Sequence, residues 1–203
     1  MERTKHFILK TRAKILKNAH HVQAKYAVVT YASQVKIITK KFTESMTEFN
    51  HDVNQNLQKD DRAIRFMHLG IDAASQLLQN IGDDAKDSML TSTKIMIIVS
   101  QGRVGGTRQR SGYTLARMAS ITARKNHDIK IVSTSDNIST TDLRTLRAVA
   151  SYPKKLNAVV GGELIDKIAN LLGQRILKIV NNDNGESIYI SYVLGYFQVL
   201  SIC

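Results

Sequence analysis

A short apolar run, Ile95 to Val99, is the feature that most restricts what this chain can fold into. The run contains no charged residue and is followed at once by Ser100, Gln101 and Gly102. Such a run is typical of a strand that is buried on both faces of a parallel sheet. In open α/β folds, ligands bind where the strands end at their carboxyl termini. We therefore expect a functional site just after this strand.

Segments typical of strands and helices alternate along the rest of the chain. This order predicts an α/β fold of the Rossmann-like type, with a mostly parallel central sheet and helices on both faces. The predicted strands are 25–32, 34–38, 95–99, 129–132 and 156–160, the first two as a possible hairpin. The predicted helices are 2–19, 64–81, 115–122, 143–150 and 164–172, with Gly82 beyond the second and N-cap oxygens for the fourth on Thr140, Thr141 and Asp142. The polar and irregular sequence of residues 43–61 predicts a loop with a short helix.

Length and composition narrow the class of protein. A chain of 203 residues with 43% hydrophobic content is expected to form one domain with a substantial core. It has no apolar stretch of the roughly 18 residues that a membrane helix needs, so we expect no membrane insertion. The N-terminal residues are too charged for a secretory signal peptide. The only cysteine is Cys203, which excludes an internal disulfide.

The formal charge of +12 is large and usually indicates an acidic partner. The densest basic group is formed by Lys5, Lys10, Arg12, Lys14 and Lys17. It could bind an anionic partner or simply form the solvated face of a helix, and both interpretations stay open. Only 6% of the residues are aromatic, which disfavours recognition of nucleic acid by base stacking.

Three stretches, in the correct order, resemble the von Willebrand factor type A (vWA) domain. KYAVVTYASQVKIITKKF looks like the second and third strands of that family, and RAIRFMHLGIDAASQLL looks like the helix after its threonine-bearing loop. KIMIIVSQGRV resembles the fourth strand with its terminal Asp-Gly. The resemblance covers about residues 2–172 and implies the doubly covered, mostly parallel sheet that the element order also predicts.

The resemblance implies a degenerate metal-ion-dependent adhesion site. Members of the family take their first metal ligands from a DxSxS motif after the first strand, and this chain would begin inside the helix that follows. The threonine ligand of the family would fall at Met67 and its aspartate at Gln101. A thioether and an amide are poor replacements for the oxygen ligands and carboxylate that Mg²⁺ prefers. We therefore expect no metal ion and no other cofactor.

The resemblance also implies that the first strand, which is central in the family's sheet, is missing and that the chain is N-terminally truncated. Residues 1–175 would then be an incomplete vWA-like domain, and residues 176–203 an atypical C-terminal tail. The tail contains the turn-rich NNDNGES and the apolar IYISYVLGYFQVLSIC. It could form an extra strand pair, be foreign to the domain, or fill the gap in the sheet.

No pattern of catalytic residues emerges, and we expect that the protein is not an enzyme. A Ser-His-Asp or Cys-His arrangement cannot be assembled from the sequence. The loop from Gly102 to Thr107 lacks the GxxxxGK[ST] spacing of a phosphate cradle, so an ordinary surface loop is the preferred interpretation. Asn137 begins an Asn-Ile-Ser pattern and is a possible glycosylation site.

These observations predict a non-catalytic protein-binding module of the adhesion or matrix-interaction type. Its partner would be a matrix protein or receptor, and it would act outside the cell as part of a longer protein. The expected partner-binding face consists of Met67, His68, Gln101, Gly102 and Arg103. The alternative is a basic intracellular module that binds nucleic acid or another acidic partner, and salt dependence would distinguish the two.

Overall fold

The structure is a computed structural model, and it describes the greater part of the chain. The described residues are 2–18, 23–39, 41–57, 65–84, 93–100, 104–135, 142–152, 158–160, 166–167, 170–171 and 187–195.

The described strands form one six-stranded sheet in the order β2-β1-β6-β3-β4-β5. The strands are β1 (Gln23–Tyr31), β2 (Val35–Ile37), β3 (Thr93–Val99), β4 (Ile129–Ser135), β5 (Ala158–Val160) and β6 (Ser187–Gly195). All neighbours are parallel except β1 and β2, which form an antiparallel hairpin at one edge. The predicted mostly parallel sheet and the predicted hairpin are both confirmed.

The described helices follow the predicted order but differ from the prediction in some of their bounds. In the described part of the chain they are α1 (Glu2–Asn18), α2 (Met46–Asn56), α3 (Met67–Asp84), α4 (Gly112–Asn126) and α5 (Leu143–Val149). Helix α3 continues through Gly82 instead of ending before it. Helix α2 is longer than a single turn, and Ser45 caps it by accepting a hydrogen bond from the Glu48 N–H. Of the three candidate caps of α5, Asp142 is the N-cap residue.

The central position of the sheet is held by β6, which comes from the C-terminal end of the chain. Its backbone is in register with β1 along the whole length of both strands, from Gln23 opposite Ser187 to Tyr31 opposite Gly195. On its other side β6 pairs with β3. The C-terminal segment therefore fills the gap that the resemblance implies, which is one of the alternatives stated for the tail. The sheet combines strands from residues 23–160 with the strand 187–195.

One face of the sheet is covered by α3, α4 and α5. Met67, Ile71, Ala74 and Leu78 of α3 recur every three or four residues and are fully buried. They belong to a hydrophobic cluster that also contains side chains of β1, β3, β4, α4 and α5. This cluster fixes the start of α3 against the sheet.

The opposite face of β1 packs against α1 and α2 around a buried arginine. The guanidinium carbon of Arg12 lies 4.6 Å from the ring centre of Tyr26 and 4.9 Å from that of Phe49. Its Nη2 donates to the carbonyl of Glu44 at 2.7 Å. Arg12 is fully buried, so it belongs to neither the solvated face nor the anion-binding surface considered for the N-terminal basic group.

The lysines of that basic group are also partly engaged. Lys5 donates to the carbonyl of Asn54 at 2.9 Å, and Lys14 forms an ion pair with Asp166. Lys10 and Lys17 are exposed. The basic group therefore contains one core residue, Arg12, and two lysines that contact other parts of the protein. The remaining two lysines face solvent from different turns of α1.

Candidate protein-binding face

The carboxyl ends of the parallel strands lie together at one edge of the sheet. Tyr31 ends β1, Val99 ends β3 and Gly195 ends β6, and the pairing register places the three side by side. Just beyond β3, the Ser100 N–H donates to the carbonyl of Thr134 on β4 at 2.8 Å. The expected location of a site, directly after the β3 run, is thus adjacent to the ends of three other strands.

Two backbone hydrogen bonds join the loops at this edge. The Phe66 N–H donates to the carbonyl of Ala32 at 2.9 Å, and the Gly105 N–H donates to the carbonyl of Arg65 at 2.7 Å. The segment before α3 is thereby fixed both to the end of β1 and to the loop after β3. We define the carboxyl-end platform as residues 65–69 together with Ala32 and Gly105. Because its loops are fixed to one another, the platform presents a preorganised surface.

Beneath the platform lies a buried tyrosine. Tyr31 is fully buried, and its burial raises the pKa of the phenol well above its ordinary value. The nearby Ser100 side chain and Arg65 guanidinium oppose that rise in pKa. Tyr31 is therefore a buried, neutral phenol at the end of β1, close to the end of β3 and to the segment before α3.

Met67 does not reach the surface of the platform. Its side chain is fully buried in the cluster beneath α3, together with Ile71 and Val29. The prediction that Met67 contacts a partner is corrected, because an apolar side chain on the inner face of an amphipathic helix packs against the sheet.

His68 is half-buried on the platform, next to Met67 in the first turn of α3. Its ring meets the ring of Phe66 edge to face, with 5.7 Å between their centres. Burial lowers the pKa of His68, and the carboxylate of Asp72, one turn further along α3, opposes that shift. The pKa of Asp72 is in turn raised by burial, with His68 opposing the rise. His68 is thus accessible to a partner in its neutral form at neutral pH.

The loop after β3 is closed on itself. The Thr107 N–H donates to the Arg110 carbonyl at 2.9 Å, and the Thr107 hydroxyl accepts from the Arg110 N–H at 3.2 Å. A Cβ added at Gly106 would approach the Gly112 nitrogen to 2.6 Å, so the backbone of the loop crosses itself too closely for a side chain. The N–H groups of Gly105 and Thr107 are already engaged, which leaves fewer donors for a phosphate than a cradle would need.

The remaining predicted site residues lie outside the described part of the chain. They are Gln101, Gly102, Arg103 and the possible glycosylation site Asn137. The sequence analysis missed Leu69, which is exposed on the platform at 37% of its surface. The sequence could have indicated this exposure. On an amphipathic helix, an apolar residue that does not share the spacing of the buried residues faces solvent, and Leu69 lies between the half-buried His68 and the buried Gly70.

No three His, Cys, Asp or Glu side chains among the described residues come together in a group that could hold a metal ion. Nor does any helix in the described ranges have the length and apolar character needed to cross a bilayer.

Comparisons with known proteins support the fold. No family model matches the sequence, and no curated protein matches it. The structure is similar to that of proximal thread matrix protein 1 from the mussel byssus, with a TM-score of 0.61 and 10% identity. It is also similar to the conserved hypothetical protein BatB from Bacteroides thetaiotaomicron, with a TM-score of 0.53 and 10% identity.

The extent of the two matches differs. The match to the thread matrix protein covers 87% of this chain but only 42% of that protein, whereas the match to BatB covers 89% of this chain and 88% of BatB. Together with the strand order, these similarities identify the fold as vWA-like. In this chain β6, which lies between β1 and β3, comes last in sequence among the described strands.

Proposed function

We propose that this chain is a non-catalytic protein-binding module of the vWA-like fold, of the matrix or adhesion type, whose contact surface is the carboxyl-end platform. The observation that carries the proposal is the pair of backbone hydrogen bonds that joins Ala32 to Phe66 and Arg65 to Gly105. A surface held in this way loses little conformational entropy on binding. His68 and Leu69 project from it as a neutral aromatic group and an exposed apolar group.

We further propose that binding at this platform does not need a metal ion and that the metal-ion-dependent adhesion site is degenerate. Met67 supports this, because its buried thioether stands at the position that the resemblance assigns to a threonine ligand. Gln101, at the position of the aspartate ligand, supplies a neutral amide oxygen in place of a carboxylate. Magnesium binds such a donor set weakly.

The absence of catalysis is part of the same proposal. His68, whose pKa is lowered, and Asp72, whose pKa is raised, lie one helical turn apart on α3. In the described residues around them, no nucleophile is hydrogen-bonded to His68. The closed loop from Gly105 to Ser111 also argues against nucleotide chemistry, because the N–H groups of Gly105, Thr107 and Arg110 are engaged within the protein.

The proposed setting is extracellular, within a longer protein. The similarity to a byssal thread matrix protein, of which this chain spans 42%, supports that setting. The partner class we propose is a matrix protein or receptor.

A solid-phase binding assay tests the proposal. The purified chain is applied to surfaces coated with collagens, fibronectin or laminin, in magnesium and in EDTA. We expect binding to at least one surface, of equal strength in both buffers. Leu69→Glu should weaken that binding about tenfold or more, because it places a charge in the apolar centre of the platform.

Gln76→Glu is the matched control, since it adds the same charge at an exposed position two turns along the same helix. It should leave binding unchanged. Loss of binding in EDTA would contradict the metal-independent mechanism, and equal binding by Leu69→Glu would remove the platform as the contact surface.

A second candidate function is a basic intracellular module that binds nucleic acid or another acidic partner. The formal charge of +12 favours it. Binding of this kind would fall steeply as salt rises, because phosphate contacts release counterions. Binding through the platform should instead change little with salt, because the platform contains one half-buried arginine and no exposed lysine.

A further inference from the structure

Helices α4 and α5 contact each other both at their starts and at their ends. At their starts, the guanidinium of Arg144 on α5 stacks over the ring of Tyr113 on α4, 4.6 Å from its centre. At their ends, Arg124 on α4 donates to the carbonyls of Val149 and Ala150. A continuous seam between the two helices therefore runs from their first turns to their last.

The seam carries four arginines. Arg117 and Arg124 are seven residues apart on α4, which places them on one side of the helix about 10 Å apart. Arg144 and Arg147 are three residues apart on α5 and share a face in the same way. Arg117, Arg144 and Arg147 are exposed, and Arg124 is half-buried.

No acidic side chain within either helix neutralises these arginines, because α4 and α5 contain no Asp or Glu. Asp142, just before α5, is engaged as its N-cap and accepts hydrogen bonds from the Arg144 and Thr145 N–H groups. Asp128, just after α4, pairs with Lys130 at 2.7 Å. The pKa of Arg124 is lowered by burial and, second, by the charge of Arg117. Positive charges thus lie close together along the seam and repel one another, and an acidic ligand would relieve this repulsion.

Two exposed apolar side chains accompany the arginines. Met118 is the next residue after Arg117, is exposed at 46% of its surface, and its sulfur accepts a hydrogen bond from Arg110 Nη1 at 3.2 Å. Tyr152 lies two residues beyond the Ala150 carbonyl that Arg124 contacts and is exposed at 86%. Arginine, tyrosine and methionine are the side chains enriched in protein–protein interfaces, and tyrosine and arginine dominate their energetic centres.

We propose that the α4–α5 seam, formed by Arg117, Arg124, Arg144, Arg147, Met118 and Tyr152, is a second interaction surface, and that it binds an acidic segment of a partner protein. The planar guanidinium forks suit carboxylates, which they bind through two parallel hydrogen bonds. Met118 and Tyr152 would contact apolar residues interspersed among those carboxylates. A nucleic-acid strand fits less well, because Tyr113 is already covered by Arg144 and only Tyr152 is left for base stacking.

This surface shares no residue with the carboxyl-end platform, so either proposal can fail without the other. The test uses the full chain and a short fluorescein-labelled peptide of alternating Glu and Leu, with binding followed by fluorescence anisotropy. We expect saturable binding that Arg117→Ser with Arg147→Ser weakens about tenfold. Lys10→Ser with Lys17→Ser is the matched control, since it removes the same charge from exposed positions on α1, and it should change the affinity less than about twofold.

Two further measurements separate this surface from nonspecific charge. Met118→Ser with Tyr152→Ser should weaken peptide binding several-fold at unchanged net charge, while Leu69→Glu on the platform should weaken it less than about twofold. Equal weakening by the arginine and lysine pairs would overturn the proposal, because net charge alone would then explain binding. Tighter binding of oligothymidylate or heparin than of the peptide would also overturn it in favour of a different polyanion.

Discussion

The ring of Tyr31 lies so close to Gly70 that a Cβ added at Gly70 would come within 2.7 Å of the tyrosine Cδ1. Tyr31 is the last residue of β1, and Gly70 lies in the first turn of α3, directly behind the platform. The close approach lets α3 sit low over the sheet, and it holds the platform residues His68 and Leu69 at a fixed height above the strand ends.

Gly70→Ala should therefore destabilise the protein although alanine is the better helix former. The added methyl group must displace the Tyr31 ring, which costs about 2 kcal/mol in a well-packed core, and the gain of about 1 kcal/mol in helix propensity offsets only part of this. Urea unfolding followed by circular dichroism measures the difference. Gln76→Ala at an exposed position of the same helix is the control and should change the unfolding free energy by less than about 0.5 kcal/mol. Equal stability of Gly70→Ala and the wild type would show that α3 lies further from the sheet.

Arg12 should be important for stability even though it belongs to a basic group that looks like surface. Arg12→Ala removes the cation–π contacts with Tyr26 and Phe49 and leaves the Glu44 carbonyl without this donor. We expect a loss of about 3 kcal/mol, because the variant leaves a cavity beside the two rings and an unpaired carbonyl. Arg12→Lys should also be destabilising, because an ammonium group cannot stack as a guanidinium does. The measurement is the urea midpoint, with Lys10→Ala as a near-neutral control. A near-neutral Arg12→Ala variant would contradict the buried position.

Stability should depend on pH through His68. Its pKa in the folded protein lies below the ordinary value of 6.5, so the folded state resists protonation. The unfolded state then binds more protons just below pH 6.5, and the unfolding free energy falls as the pH is lowered from 7 into that range. Thermal melts between neutral and mildly acidic pH should show a shallower decline for His68→Gln than for the wild type.

Asp72→Asn tests the partner of His68. Removing the carboxylate that supports the charged imidazole should lower the pKa of His68 further and steepen the acid decline. Equal pH profiles for the wild type, His68→Gln and Asp72→Asn would show that His68 is solvated in the folded state.

Much of the fold could be predicted because single segments carried the information. The apolar run at β3 predicted a buried parallel strand, and the spacing of Ile71, Ala74 and Leu78 predicted the inner face of α3. The position of β6 could not be determined in the same way. Whether an apolar tail forms an extra edge or a central strand depends on pairing with residues more than 80 positions away, such as Ile95 opposite Ile190, and periodicity carries no information about such pairing.

The candidate site was harder to predict than the fold. The resemblance predicted a site at the carboxyl ends of the strands, yet it could not show that Met67 faces the core and Leu69 faces solvent. That distinction depends on the phase of α3, which is set by its packing over Tyr31 and Val29. The seam between α4 and α5 was missed because its arginines come from two separate segments, and only the packing of the two helices brings them together.

The central structural claim is that the C-terminal strand β6 lies between β1 and β3 and completes the vWA-like sheet. Val29 and Val193 are direct partners in the parallel ladder, so their positions share a face of the sheet at a spacing that a disulfide can bridge. Leu194 is the partner of Thr30, and its position lies on the other face.

The most direct test is disulfide formation in a Cys203→Ser background. Val29→Cys with Val193→Cys should oxidise to an intramolecular disulfide, seen as protection from alkylation in intact-mass spectrometry of the monomer, and the oxidised form should melt at a higher temperature. Val29→Cys with Leu194→Cys is the matched control and should keep two free thiols. Free thiols in the first variant, or equal oxidation of both, would contradict the placement of β6 in the sheet.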